Sequence, residues 1–134
     1  MVEYRWYEMF EGQGSWLQHV IPHAYKNCKE LQSTSYLETL ERISESTAEN
    51  DRLELVCFRD SKVVAVAVVV LDNDDHVGDC IGVQWNYSRD ATVNTGFTLK
   101  LFRKLKELSR ERKIPYAYTK RIGEGKYQLT FKEY

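Results

Sequence analysis

The chain has 134 residues, 43% of them hydrophobic and 29% charged, with a net charge of −1. That balance excludes a disordered or fibrous chain, and near-neutrality excludes a wholesale polyanion binder or an acidic mimic of DNA. The length predicts one domain, residues 1–134, able to bury a core without disulfides or metals. No segment reaches the roughly 20 apolar residues that span a bilayer, so no membrane association is expected. The polar, aromatic start Met1–Trp6 does not read as a signal peptide. Cys28, Cys57 and Cys80 are widely spaced and include no Cys-x-x-Cys pair. Free thiols in a reducing, cytoplasmic setting follow from that pattern.

In chain order, Glu3–Met9 reads as an aromatic strand and Glu11–Gly14 as a turn. Ser15 with Gln18 reads as a capping box opening a helix over 16–29, which Pro22 should kink or split. A second helix is predicted over 36–49, capped by Ser35, with Leu37, Leu40 and Ile43 as its apolar stripe. Arg52–Arg59 alternates, placing Leu53, Leu55 and Cys57 on one face. Lys62–Leu71 is almost wholly Val and Ala, which predicts a central strand buried on both faces. Asp72–Asp75 reads as a turn and Val77–Tyr87 as the third strand of an antiparallel meander. After the polar loop Ser88–Thr95, an amphipathic helix is predicted over 96–113. Its stripe is Phe97, Leu101, Leu105 and Leu108, widened by Leu99 and Phe102. Tyr116–Ile122 and Tyr127–Phe131 then read as a hairpin around Gly123–Gly125. The expected class is α+β, with a mixed, mostly antiparallel sheet, two N-terminal helices, one central helix and a C-terminal hairpin.

This order resembles the GNAT superfamily of N-acetyltransferases over nearly the whole chain. The resemblance implies a sheet whose fourth and fifth strands splay around the pantetheine arm of acetyl-CoA. It also implies a turn into the central helix whose N–H groups hold the pyrophosphate. Carried over, Val83 and Trp85 on the fourth strand pair with the pantetheine amides, and Asn94, Thr95 and Gly96 form the phosphate turn. Gly96 matches the last glycine of the family's Arg/Gln-x-x-Gly-x-Gly/Ala turn, but its earlier glycine falls on Asn94 and its leading Arg/Gln on Ala91. Asn tolerates the left-handed conformation such a turn uses. The helix that follows the fifth strand in the family is absent here, and with it the family's general-acid tyrosine. Such losses resemble short GNAT-like proteins of tailed bacteriophages that serve in head assembly or inside the virion.

Candidate bases for stripping a proton from an amine are Glu54, His76 and Asp79, and Tyr118 is a candidate acid by position on the fifth strand. Each also reads as an ordinary strand residue. His19 and His23 are four apart but have no third ligand, and Asp72–His76 fails the calcium-loop pattern, so no metal is expected. Lys and Arg outnumber Asp and Glu from Gly96 onward, while the reverse holds before it. The basic helix surface over 100–113 reads as a solvated face, a contact for the cofactor's 3′-phosphate, or a contact for nucleic acid. Three functions follow. One is a non-catalytic assembly or interaction factor with protein partners, in the host cytoplasm or virion if viral. The alternative is an acetyl-CoA-dependent N-acetyltransferase with a divergent pyrophosphate loop. The third is a nucleic-acid binder.

Overall fold

A computed structural model describes residues 1–134. Its strands are β1 (Val2–Met9), β2 (Arg52–Arg59), β3 (Lys62–Asp74), β4 (Gly78–Ser88), β5 (Tyr116–Gly123) and β6 (Lys126–Lys132). They form one sheet in sequence order. Every neighbouring pair is antiparallel except β4 and β5, which are parallel. A parallel pair needs a crossover, and the helix α3 (Asn94–Arg112) supplies it. The other helices are α1 (Ile21–Asn27) and α2 (Tyr36–Ala48). Short 3-10 turns cover Trp16–His19, Lys29–Ser33 and Ala91–Val93. No helix is long and apolar enough to cross a membrane.

The valine run of β3 is central because both faces of the sheet are covered. On one face Leu55, Ala65, Ala67 and Ile81 pack with Phe97, Leu101 and Leu105 of α3. On the other, Val56, Val66 and Val68 pack with Leu17, Val20, Ile21 and Ile43. Consecutive strand residues point to opposite faces, so one unbroken apolar strand serves both cores. The aromatic β1 divides the same way. Tyr4 and Trp6 pack toward α3, and Tyr7 toward Trp16.

Several expectations are corrected in detail. The helix expected over 16–29 is split: the chain makes a 3-10 turn, then α1 begins with Pro22 in its first turn, where a missing N–H costs nothing. The Ser15 hydroxyl caps Leu17 N–H. Asp72–Asp74 extends β3 instead of turning. On α2, Ser35 caps Glu38 N–H as expected, but Leu37 is 73% exposed. Thr39, Ile43 and Thr47 form the buried stripe instead. The threonines tolerate burial because their hydroxyls donate to backbone carbonyls, Thr39 to Leu31 at 3.0 Å and Thr47 to Ile43 at 2.9 Å. On α3, Leu99 faces solvent while the rest of the stripe is buried or half-buried. The helix stops at Lys113, which takes a left-handed conformation just before Ile114-Pro115.

Candidate functional site

The parallel pairing of β4 with β5 is brief. It comprises Ile81 opposite Tyr116 and Gly82 opposite Ala117. Beyond it the strands part, β4 continuing to Ser88 beside β3 and β5 continuing to Gly123 beside β6. The facing backbone edges of 83–88 and 118–123 are not paired with each other. On the α1 side the gap opens into a cavity of about 630 Å³. Its walls are Val83–Tyr87 of β4, Thr119–Arg121 of β5, Tyr127 of β6, and Ala24, Asn27, Cys28 and Leu31. That volume and the mixture of apolar walls with a few polar groups are typical of a small-molecule site.

A bulge shapes the β4 wall. Val68 pairs with Trp85 but Val69 pairs with Val83, leaving Gln84 as an extra residue. Such an insertion bends a strand and redirects a side chain. The Gln84 amide donates to Ser46 O of α2 at 3.2 Å. Its Oε1 is buried and has no partner. A buried acceptor left unpaired is costly to the free protein.

Polar contacts hold the far walls. His23 Nδ1 lies 2.7 Å from the Tyr87 hydroxyl, joining α1 to β4. Burial pushes the Tyr87 phenol above its usual range. Glu30 accepts from Arg121 Nε at 3.0 Å and from the Tyr127 hydroxyl, tying the β5–β6 hairpin to the segment after α1. The Tyr127 bond, followed by a backbone hydrogen bond and Arg121, holds the Glu30 carboxyl below its usual range. Burial and the Glu30 carboxylate push Tyr127 up to about 12. Lys29 and Glu124 add an exposed pair at 3.3 Å.

Directly after the cavity wall of β4, the turn into α3 is closed on itself. Asp90 Oδ1 accepts from Thr92 N at 3.0 Å and from Thr92 Oγ1 at 2.6 Å. Asp90 Oδ2 accepts from Arg59 Nε at 2.6 Å, and Arg59 also reaches the Thr92 hydroxyl. These bonds, the Thr92 hydroxyl foremost, hold the Asp90 carboxyl below its usual range. The next donors bond locally, Val93 N to Asp90 O and Asn94 N to Ala91 O. The Tyr4 hydroxyl donates to Val93 O at 3.3 Å. A Cβ on Gly96 would lie 2.5 Å from that hydroxyl, so glycine is required here by the close approach of Tyr4.

Of the residues expected in the site, Val83 and Trp85 line the cavity. Asn94, Thr95 and Gly96 form the first turn of α3 and are not among its walls. Three candidate bases and the candidate acid require correction. Glu54 is fully buried and ion-paired with Arg52 at 2.6 Å. It also accepts from the Ser15 hydroxyl and from Trp16 N–H, so no substrate reaches it. His76 lies on the exposed β3–β4 turn against Asp74 at 3.2 Å, and Asp79 accepts from Asn73 beside it. That turn is at the end of β4 remote from the cavity. Tyr118 points to the α3 face, its ring 4.7 Å from that of Phe102. On the basic helix, Lys100 and Lys104 lie over the rings of Tyr4 and Trp6. The side chains of His19 and His23 turn to different partners, Trp16 and Tyr87. No group of three or more His, Cys, Asp or Glu is gathered for a metal ion.

The residues that sequence reasoning missed are Gln84, Tyr87 with His23, Glu30 with Arg121 and Tyr127, and Asp90 with Arg59. Only Asp90 carried a local signal: an Asp two residues before a Thr that opens a turn is a capping pattern. The others meet across more than 35 residues of chain or depend on a bulge.

No family model matches the sequence, and no curated protein does. Solved structures do match in shape. A Pyrococcus furiosus protein assigned as an acetyl transferase is 16% identical, with 90% of this chain and 83% of that chain covered at a TM-score of 0.59. A predicted acetyltransferase of Clostridium acetobutylicum, solved with acetyl-CoA, is 15% identical over 85% and 77% of the two chains at 0.55. An aminoglycoside acetyltransferase from an uncultured soil metagenomic sample is 14% identical over 87% and 76% at 0.51. The element order, the parting of β4 from β5 and these likenesses agree on one conclusion: the chain has a GNAT-like fold.

Proposed function

We propose that the chain is an N-acetyltransferase that takes its acyl group from a thioester of the acetyl-CoA kind. The observation that carries this reading is the gap between β4 and β5 and the cavity it opens. An extended, amide-bearing arm fits such a gap as an added strand does, its amides meeting the free backbone edges. The reaction forms an N–C bond to the acyl carbon and breaks the C–S bond, releasing a thiol and one proton from the amine. Among the cavity walls, Tyr87 with His23 behind it is the pair suited to take that proton. As the Tyr87 oxygen accepts it, the hydroxyl proton passes along the 2.7 Å contact to His23.

This reading places the acetyltransferase alternative ahead of the bacteriophage assembly factor. The solved structures named above are acetyltransferases by description, and nothing in the cavity favours a virion role. The test is thiol release from millimolar acetyl-CoA with a panel of primary amines that includes aminoglycosides. Turnover that His23→Gln reduces at least tenfold, with a shifted pH profile, supports the reading. Folded protein that releases no thiol with any amine sinks it.

A further inference from the structure

The β4–α3 turn departs from what a nucleotide-bearing donor requires. A helix N-terminus binds a phosphate through N–H groups that have no other partner. Here Thr92 N–H is bound by the Asp90 carboxylate, and Val93 and Asn94 N–H are bound by carbonyls of the same turn. Arg59, whose guanidinium reaches the turn, is paired with Asp90 as well. The 3-10 turn that leads into α3 therefore already holds an anion, supplied by the chain. A diphosphate entering it would lose to Asp90 for the same donors and would meet its negative charge. The cavity between β4 and β5 shows the opposite condition, with an acceptor that nothing satisfies.

We infer that the chain recognises its donor through the pantetheine arm alone, and accepts acyl-pantetheine thioesters that carry no nucleotide. This rests on the acyltransferase reading above and narrows it. The adenosine diphosphate portion of a coenzyme A thioester contributes little to binding, because the turn beside it is occupied by Asp90. The bonds made and broken are those already given, since thioester and amine are unchanged.

The experiment compares acetyl-pantetheine with acetyl-CoA by calorimetry on the full chain, with 3′,5′-ADP as a competitor. Affinities within tenfold of each other, with no competition by millimolar 3′,5′-ADP, are the expected result. Acetyl-CoA binding more than tenfold tighter, or displacement by 3′,5′-ADP, overturns the inference and leaves the acyltransferase reading standing. Failure of both thioesters to bind folded protein overturns both. Asp90→Ala supplies the converse arm, since it frees Thr92 N–H and Arg59. Acetyl-CoA should then gain at least fivefold while acetyl-pantetheine is unchanged, and its unchanged binding also reports an intact cleft. An unaltered preference between the two in that variant counts against Asp90 as the occupant of the turn.

Discussion

The bulge of β4 and the turn that follows the strand handle polar groups in opposite ways. Around Val83–Trp85 the strand bulges, loses its β5 partner and leaves the Gln84 oxygen unsatisfied in a cavity wall. Around Ser88–Val93 the donors of the turn are met from within the chain, by Asp90, Arg59 and local carbonyls. An unsatisfied buried group costs stability in the free protein and returns it when a ligand supplies the partner. A satisfied turn costs nothing and offers nothing. The difference locates recognition at the bulge and structural closure at the turn.

The largest effect comes from the buried pair on β2 rather than from either of these regions. Glu54→Ala leaves the buried Arg52 guanidinium without its counter-ion and frees Ser15 and Trp16 N–H. Removing one partner of a buried pair costs about 3–5 kcal/mol. Thermal denaturation should show a fall of roughly 10–20 °C at this chain length. A loss below about 1 kcal/mol would mean the network is not closed in solution. Next comes the turn. Gly96→Ala drives a methyl against Tyr4 and should cost about 1–3 kcal/mol, as overpacking does. Tyr4→Phe in the same chain should recover part of it, so that the double variant loses less than the sum of the singles. Additive losses would assign the glycine to something other than Tyr4.

The cavity wall should respond more in binding than in stability. Gln84→Leu removes the unpaired acceptor and also the bond to Ser46 O, changes of opposite sign, so the unfolding free energy should move by less than about 1 kcal/mol. Affinity for acetyl-pantetheine should fall about tenfold, the worth of one hydrogen bond made in a dry site. Equal affinity in the variant would show that the orphaned oxygen faces no ligand. The smallest effect concerns the Glu30–Arg121–Tyr127 contact that holds the hairpin. Glu30 has a depressed pKa in the folded chain, so its contribution is complete above its ordinary value of 4.5 and is lost as pH falls through the folded pKa. Tyr127 has a raised one, so its contribution is complete below 10 and is lost as pH rises through about 12. Amide exchange of 126–132 should therefore be slowest in the window between, corrected for intrinsic rates. Glu30→Gln should flatten that dependence without moving global stability.

The sheet was legible because its signals are local. The alternation of Arg52–Arg59 and the valine run of β3 specify strands by themselves, and Gly96–Lys113 specifies a helix by its stripe. The errors arise where a side chain's fate depends on a distant segment. Glu54 reads as a polar residue on an alternating strand, and only the crossing of Gln13–Trp16 above it converts that position into a sealed ion pair. Thr39 and Thr47 fall outside the apolar stripe read for α2 because hydropathy ignores hydroxyls that donate to backbone carbonyls. The bulge at Gln84 has no signature in β4 alone, since it is a mismatch in register with β3. Gly96 reads as a glycine of the phosphate turn, whereas the close approach the structure shows there is the ring of Tyr4, from the other end of the chain.

Cys28 gives the cavity a chemical address. It is half-exposed in the wall, while Cys57 and Cys80 are buried. Burial pushes its thiol above the ordinary cysteine range, so little thiolate is present at neutral pH and alkylation is slow. Slow, selective modification is what makes a thiol useful as a clock. A maleimide or iodoacetamide would mark one position per folded chain, and any molecule lying between β4 and β5 would delay the mark. Mass spectrometry of that delay reports occupancy before the acceptor amine is known.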